Sequence, residues 1–204
     1  MKASEFHFKV ENFAIIILAA GNSSRLGSPK QLLTYNGRPL LQLAIDKAKE
    51  SGPDKVIVVL GSSKQLIESK ISNEGIMIVE NPDWESGLAS SIKSGLRALN
   101  NIPTITDAII LMVCDQPFVD AKILKELLSE QAKSGLAIVG SRYEDCIGIP
   151  ALFHKYMFSE LLSLEGDTGA KKLFEKYKKL TSFVSFQHGG IDIDTSEDYK
   201  NLTK

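Results

Sequence analysis

The chain has 204 residues, a formal net charge of -1, 43% hydrophobic residues and 24% charged residues. That composition excludes a disordered or fibrous chain, and the balanced charge excludes a globally basic binder of nucleic acid or anionic membrane. The two cysteines, Cys114 and Cys146, lack the short spacing of a zinc site or a disulfide framework and fit a reducing compartment.

The first thirteen residues, MKASEFHFKVENF, lack the uninterrupted apolar core of a signal peptide and form a short extension. The longest apolar runs, AIIILAA and AIILMVC, are too short to span a bilayer, so the expected compartment is the cytoplasm. Ala14–Ala19 is short, β-branched and continuously apolar, as a strand covered on both faces should be. It runs into Ala20-Gly21-Asn22-Ser23-Ser24-Arg25-Leu26-Gly27-Ser28-Pro29-Lys30. Small residues there let backbone N–H groups approach phosphate oxygens, and Arg25 and Lys30 add positive charge. The loop is neither a Walker A nor a GxGxxG motif, and a plain βα turn with two solvated cations is the alternative.

Pro39–Glu50 follows as a helix with Leu40, Leu41, Ala44, Ile45 and Ala48 on one face. Lys55–Leu60 and Met77–Val79 are the next strands, and Gly87–Leu99 the next helix. Ala108–Val113 is a fourth buried strand, and it delivers Cys114-Asp115-Gln116-Pro117 at its carboxyl end. A carboxylate there is costly unless partnered, and magnesium shared with substrate phosphates is a suitable partner; a turn cap is the bland reading. Cys114 is expected to be a packed strand residue rather than a nucleophile. Asp120–Lys133 is a helix with Asp120 as its N-cap. Ala137–Gly140 and Phe183–Phe186 are weaker strand candidates, and Gly169–Tyr177 is a further helix. Near the end, Gly189-Gly190-Ile191-Asp192-Ile193-Asp194-Thr195 precedes a short helix capped by Thr195 or Ser196. Alternation puts Asp192 and Asp194 on one side, and Asp194 is the better second magnesium ligand. Two carboxylates facing one ion would repel each other without it, so removing either is expected to leave the fold intact or firmer.

Strand and helix alternate through the first two-thirds, with no linker or repeat. The reading is one α/β domain over residues 1–204 with a mostly parallel sheet and helices on both faces. Ligands of such sheets sit beyond the carboxyl ends of the strands, where the unusual residues fall.

The three segments, in this order, resemble the molybdenum cofactor cytidylyltransferase family of the MobA-like NTP transferases, from about Ala14 to Tyr199. Asn81-Pro82-Asp83-Trp84-Glu85-Ser86-Gly87-Leu88-Ala89-Ser90-Ser91 looks like that family's loop near base and ribose. Gly148-Ile149-Pro150-Ala151-Leu152-Phe153 and Gly166-Asp167-Thr168-Gly169-Ala170 resemble its acceptor side. The resemblance implies a single-domain, Rossmann-like three-layer α/β/α sandwich. It implies transfer of CMP from CTP to Mo-molybdopterin with release of pyrophosphate, and a molybdenum hydroxylase as recipient of the product.

By the same resemblance Arg25, Lys30 and Asp115 are catalytic, and Asp115 and Asp194 hold magnesium. Leu18, Ala19, Ala20, Gly21, Arg25, Gly27, Lys30, Ser86, Gly87 and Ser90 would bind nucleotide, and Gln116, Pro150, Gly169 and Lys171 the acceptor. Ala19-Ala20 stands where guanylyltransferases usually carry a glycine, which favours CTP over GTP. Leu26, Cys114 and Lys171 depart from the family's usual Met, Gly and Arg. Rival readings are a transferase for a methylerythritol or sugar phosphate, a non-catalytic cofactor-delivery protein, and an NAD(P)-dependent reductase. The last lacks GxGxxG and an acidic residue after the second strand, where Leu60-Gly61-Ser62 stands.

Overall fold

The computed structural model describes residues 7–103, 105–144 and 146–203, without the side chain of Thr168. Positions 1–6 of the N-terminal extension lie outside the described residues. Among the described residues nine strands occur in chain order: β1 (Phe13–Ala19), β2 (Thr34–Tyr35), β3 (Arg38–Pro39), β4 (Lys55–Leu60), β5 (Met77–Glu80), β6 (Ala108–Val113), β7 (Ile138–Tyr143), β8 (Cys146–His154) and β9 (Thr181–Ser185). Between and after them lie α1 (Leu40–Glu50), α2 (Lys64–Glu68), α3 (Leu88–Asn100), α4 (Ala121–Ser134), α5 (Phe158–Leu162), α6 (Lys171–Lys176) and α7 (Ser196–Leu202).

The main sheet has seven strands in the order β5-β4-β1-β6-β8-β7-β9. Every neighbouring pair is parallel except the two that involve β8, which runs against both β6 and β7. The apolar runs of β1, β4 and β6 occupy the middle of the sheet, which is why they are apolar on both faces. Along β1, Ile15 and Ile17 face one core with Leu41, Ile45, Leu124 and Leu127 of α1 and α4. Ala14, Ile16 and Leu18 face the other with Ile92 and Leu96 of α3 and Leu173 of α6. The result is a three-layer α/β/α sandwich of the Rossmann-like type.

The expected elements are present with ends shifted by a few residues. Asp120 caps α4 by accepting from the Ile123 N–H at 2.9 Å. Strand β8 was not expected, because Gly148 and Pro150 argue against a central strand. The sheet accommodates Pro150 where its pairing breaks: β8 pairs with β6 only as far as Ala151, and its register against β7 shifts between Val139 and Ser141. No ladder hydrogen bond therefore requires the N–H that proline lacks. The described part of the extension is anchored: the Phe8 N–H donates to Gly135 O and the Phe8 ring lies 4.8 Å from that of His154.

Candidate functional site

The loops that leave β1, β4 and β6 open on one edge of the sheet. Parallel strands with helices on alternate faces diverge at that edge and leave a crevice there. The crevice has a volume of about 250 Å³. Its lining includes Leu18, Ala19, Ala20, Gly21, Lys30, Gly87 and Asp115, so seven of the sequence-predicted residues converge on it. Ser86 and Ser90 line a neighbouring cleft with Lys93 and Arg97; Ser91, one residue on, reaches the main crevice instead. The Ser90 hydroxyl is occupied, donating to Gly87 O and accepting from Asn81 Nδ2, each at 2.8 Å.

Two glycines shape the walls. A side chain at Gly61 would meet Trp84 Cβ at 2.6 Å and Ala20 O at 2.7 Å, so glycine lets both Trp84 and the start of the loop after β1 close onto the backbone that follows β4. Gly87 has a φ of 96° and lies against Gly166 and Asp167, which brings the 166–169 turn to the start of α3. Gly169 similarly packs on Leu88, and Gly27 adopts a φ of 70° in the β1 loop.

At the mouth of the crevice lies an ion-pair cluster. Lys30 Nζ is held by Asp115 Oδ2 and, at 2.8 Å, by Asp194 Oδ1; Arg25 reaches Asp194 Oδ2 at 3.2 Å. The Lys30 and Asp115 side chains are only 17% and 15% exposed. Burial disfavours the Lys30 charge, but the two carboxylates outweigh it and hold Lys30 above the ordinary lysine range. The Lys30 hydrogen bond, with added attraction from Lys30 and Arg25, overcomes partial burial and holds Asp194 below the usual carboxylate range. Asp192 sits in the same field. Partial desolvation and the charges of Asp115 and Asp194 push it up to about 6. The segment is fixed to β6 by the Ile193 N–H donating to Asp115 O at 3.0 Å. It is fixed to α7 by the Asp194 N–H donating to Asp198 Oδ2, within a Thr195–Asp198 capping box.

The expectation that Asp115 and Asp194 repel in the empty site is therefore corrected. Lys30 and Arg25 compensate both carboxylates, and removing one would leave the partly buried Lys30 ammonium short of a partner.

The donor set fits a hard divalent ion. Asp115 Oδ1 is buried without a hydrogen-bond partner, which leaves a carboxylate oxygen available inside the crevice. The described residues hold no group of three or more Asp, Glu, His or Cys side chains placed to enclose a metal. Phosphate oxygens and water would have to complete the shell, as magnesium commonly requires.

Sequence reasoning missed Gln31. Its side chain is 1% exposed and lines the crevice, and Nε2 donates to Ala19 O at 2.8 Å and Gly21 O at 3.0 Å. That brace fixes the loop on both sides of Ala20. Trp84 and Asp167 also line the crevice. Cys114 is buried and its thiol is pushed up to about 12, chiefly by desolvation, which suits packing rather than nucleophilic attack.

The four expected acceptor residues do not converge. Gln116 donates to Gly189 O at 2.8 Å and lines a smaller cavity with Tyr35, Leu40 and Cys114. Pro150 lies within β8 and accepts from the Ser141 hydroxyl. Lys171 lines a separate cleft with Cys146, Phe174 and Lys178. Only Gly169, through Leu88, touches the crevice wall.

Comparison with known proteins agrees with this architecture. Nicotine blue oxidoreductase of Paenarthrobacter nicotinovorans is 28% identical over 196 residues, covering 92% of this chain and 94% of that protein. The crystal structure of Rv0371c from Mycobacterium tuberculosis H37Rv superposes with a TM-score of 0.79 at 30% identity, covering 94% of this chain and 98% of that one. A structure of Rv0371c in complex with manganese gives a TM-score of 0.76 at 28% identity, covering 95% and 98%. Among the described residues, no helix is long and apolar enough to cross a membrane. The model of the MobA-like NTP transferase domain matches residues 15–180, and the chain belongs to that family of nucleotidyltransferases.

Proposed function

We propose that the chain transfers CMP from CTP to a phosphorylated acceptor of the molybdopterin type, releasing pyrophosphate, with magnesium as the resident ion. The observation that carries this reading is the meeting of Lys30, Asp115 and Asp194 at the mouth of the crevice lined by the β1 loop. The manganese complex of Rv0371c supports a divalent ion on this fold.

The chemistry asks little of a proton carrier. An acceptor phosphate is ionised at neutral pH, so its oxygen can attack the α-phosphorus in line without a strong base. Catalysis is then positioning and charge stabilisation. The Gln31-braced loop would present its N–H groups to the triphosphate. Lys30 and Arg25 would hold the β- and γ-phosphates and stabilise the departing pyrophosphate. Bound by Asp115 and Asp194, a divalent ion supplies neutralisation of the phosphate oxygens. Trp84, packed beside Gly61 and lining the crevice, would flank the base. The reaction would take place in the cytoplasm, with a molybdenum hydroxylase receiving the product.

The test is product analysis by mass spectrometry with CTP or GTP, magnesium and molybdopterin, a sugar phosphate or methylerythritol phosphate. Release of pyrophosphate with a cytosine dinucleotide product is expected; absence of nucleotidyl transfer to any phosphorylated acceptor would sink the proposal. A second reading, an oxidoreductase, is favoured by the likeness to nicotine blue oxidoreductase along nearly the whole chain. It predicts that NAD(P)H passes its hydride to an added quinone-type dye, which is reduced, without any nucleoside triphosphate; loss of NAD(P)H absorbance measures this.

A further inference from the structure

A second cavity lies across β6 from the crevice. Its volume is about 120 Å³, and α1 lines it with Leu43 and Ala44. The opposite wall is the end of β6 and the turn after it, through Met112, Cys114, Gln116 and Val119. Side chains alternate along a strand, so Met112 faces this cavity while Val113 lines the crevice. Cys114 lines both, and the two linings share no other residue. Leu43 is only partly buried, which connects the cavity to solvent. The wall is apolar except at one buried amide. Gln116 is 6% exposed; its Nε2 donates to Gly189 O at 2.8 Å, and its Oε1 is buried with no hydrogen-bond partner. A buried carbonyl left unpaired is costly, and a donor brought to it recovers that cost. The space suits one six-membered ring, since an engineered apolar cavity of about 150 Å³ holds benzene. The sulfurs of Met112 and Cys114 favour an aromatic ring over an aliphatic one.

We propose that this cavity is a regulatory site for a single-ring aromatic molecule carrying one O–H or N–H donor. The donor pairs with Gln116 Oε1 while the ring packs between Ala44 and Met112, and occupancy is felt in the crevice through Cys114. A ring seated against Cys114 bears on the end of β6, the segment that carries Val113 and Asp115 into the crevice. An unsubstituted ring fills the same space but leaves Oε1 unpaired, so the donor sets the selectivity. The site stands whichever nucleotide or acceptor the crevice takes.

The test titrates the full chain with phenol and with benzene, following the methionine methyl groups and the tryptophan indole by nuclear magnetic resonance. Of the four methionines Met112 lines the cavity, and the single tryptophan, Trp84, lines the crevice. Met112→Leu assigns the first signal. Phenol is expected to shift the Met112 methyl and to leave Met77 and Met157 in place. Its affinity should exceed that of benzene roughly fivefold, the difference made by one net hydrogen bond. The Trp84 indole should move along the same saturation curve. Gln116→Leu should bind the two rings equally, and Ala44→Phe, which fills the space from α1, should bind neither. Circular dichroism checks both folds; if Gln116→Leu does not fold, phenol against benzene on wild type still decides the part of the donor. Equal affinities of the two rings for wild type would overturn the role of Gln116, and an unmoved Met112 with both would overturn the site. A Trp84 signal that stays still while Met112 moves, or that moves as far in Ala44→Phe, would overturn the link to the crevice.

Discussion

Replacing Asp115 with asparagine should destabilise the ligand-free protein, contrary to what a pair of repelling carboxylates would give. The side chains of Asp115 and Lys30 are 15% and 17% exposed, so little water is available to replace the lost partner. Breaking a fully buried pair costs about 3–5 kcal/mol. Here Lys30 keeps Asp194 at 2.8 Å, and Asp194 is 41% exposed, so the expected cost is reduced to about 2 kcal/mol. For a chain of this size that corresponds to a fall of about 4–8 °C in melting temperature.

The assay is thermal melting by circular dichroism for Asp115→Asn, Lys30→Met and the double variant. The double variant should lose less than the sum of the singles, because each single strands the other's charge. The pH window follows from the shifts. Asp194 is held below its ordinary 3.8, so its stabilisation is present above that value and is lost as pH falls through the depressed range. Lys30 is held above its ordinary 10.5, so its stabilisation is present below that value and lost only as pH rises beyond it. The deficit of Asp115→Asn should therefore be flat between about pH 7 and 9, and it should grow as pH falls through about 6, where protonation of Asp192 removes the repulsion that the variant no longer carries. An Asp115→Asn protein melting within a degree of wild type at pH 7 would refute the charge-compensation account.

Three further outcomes are expected. In a thermal-shift comparison with magnesium, CTP at a hundredfold excess over its dissociation constant should stabilise the protein by about 2.7 kcal/mol, and GTP at the same concentration by less; equal stabilisation by GTP would undo the Ala19-Ala20 argument. Asp192, pushed up to about 6 from 3.8, carries a native-state penalty above pH 6 that is relieved as pH falls towards 4. Asp192→Asn should accordingly melt a few degrees higher than wild type at pH 8 and no higher at pH 4, and a pH-independent difference would contradict this. Gly87→Ala forces a side chain into a φ of 96° and against the Gly166 backbone at 2.6 Å, so it should cost about 2–3 kcal/mol and weaken CTP binding, read by calorimetry; a wild-type melt would show that the turn yields freely.

The sheet centre was legible because β1, β4 and β6 are buried on both faces and must be apolar throughout. Helix α4 was legible because its cap and its apolar stripe agree. Strand β8 was hidden by Gly148 and Pro150, since a local rule cannot foresee that the ladder breaks where proline sits. At the site, Lys30, Asp115 and Asp194 could be picked out because each is a charged residue in a loop at the edge of an apolar element. Their pairing could not, because it depends on bringing together positions 85 and 164 residues apart. Gln31 gives no periodic signal in its short turn; only the carbonyls it braces reveal it. The acceptor assignments rested on resemblance alone, and Gln116, Pro150 and Lys171 face three different environments.

The cluster itself discriminates between the two chemistries suggested by the relatives. A dinucleotide bound for redox work would draw Lys30 and Arg25 towards its diphosphate and bring no cation in exchange. Asp115, partly buried and with Oδ1 already lacking a partner, would then lose its lysine as well, and a carboxylate withdrawn from water without compensation is costly. A triphosphate that arrives with a divalent ion satisfies every member at once: the phosphates take the cations and the ion takes the carboxylates. An oxidoreductase using this crevice would gain nothing from retaining both Asp115 and Asp194 in pairing distance of Lys30, whereas in the proposed nucleotidyl transfer all three would have a role. The charge arrangement thus argues for nucleotidyl transfer on grounds independent of family membership, and Asp115 is the residue on which that argument turns.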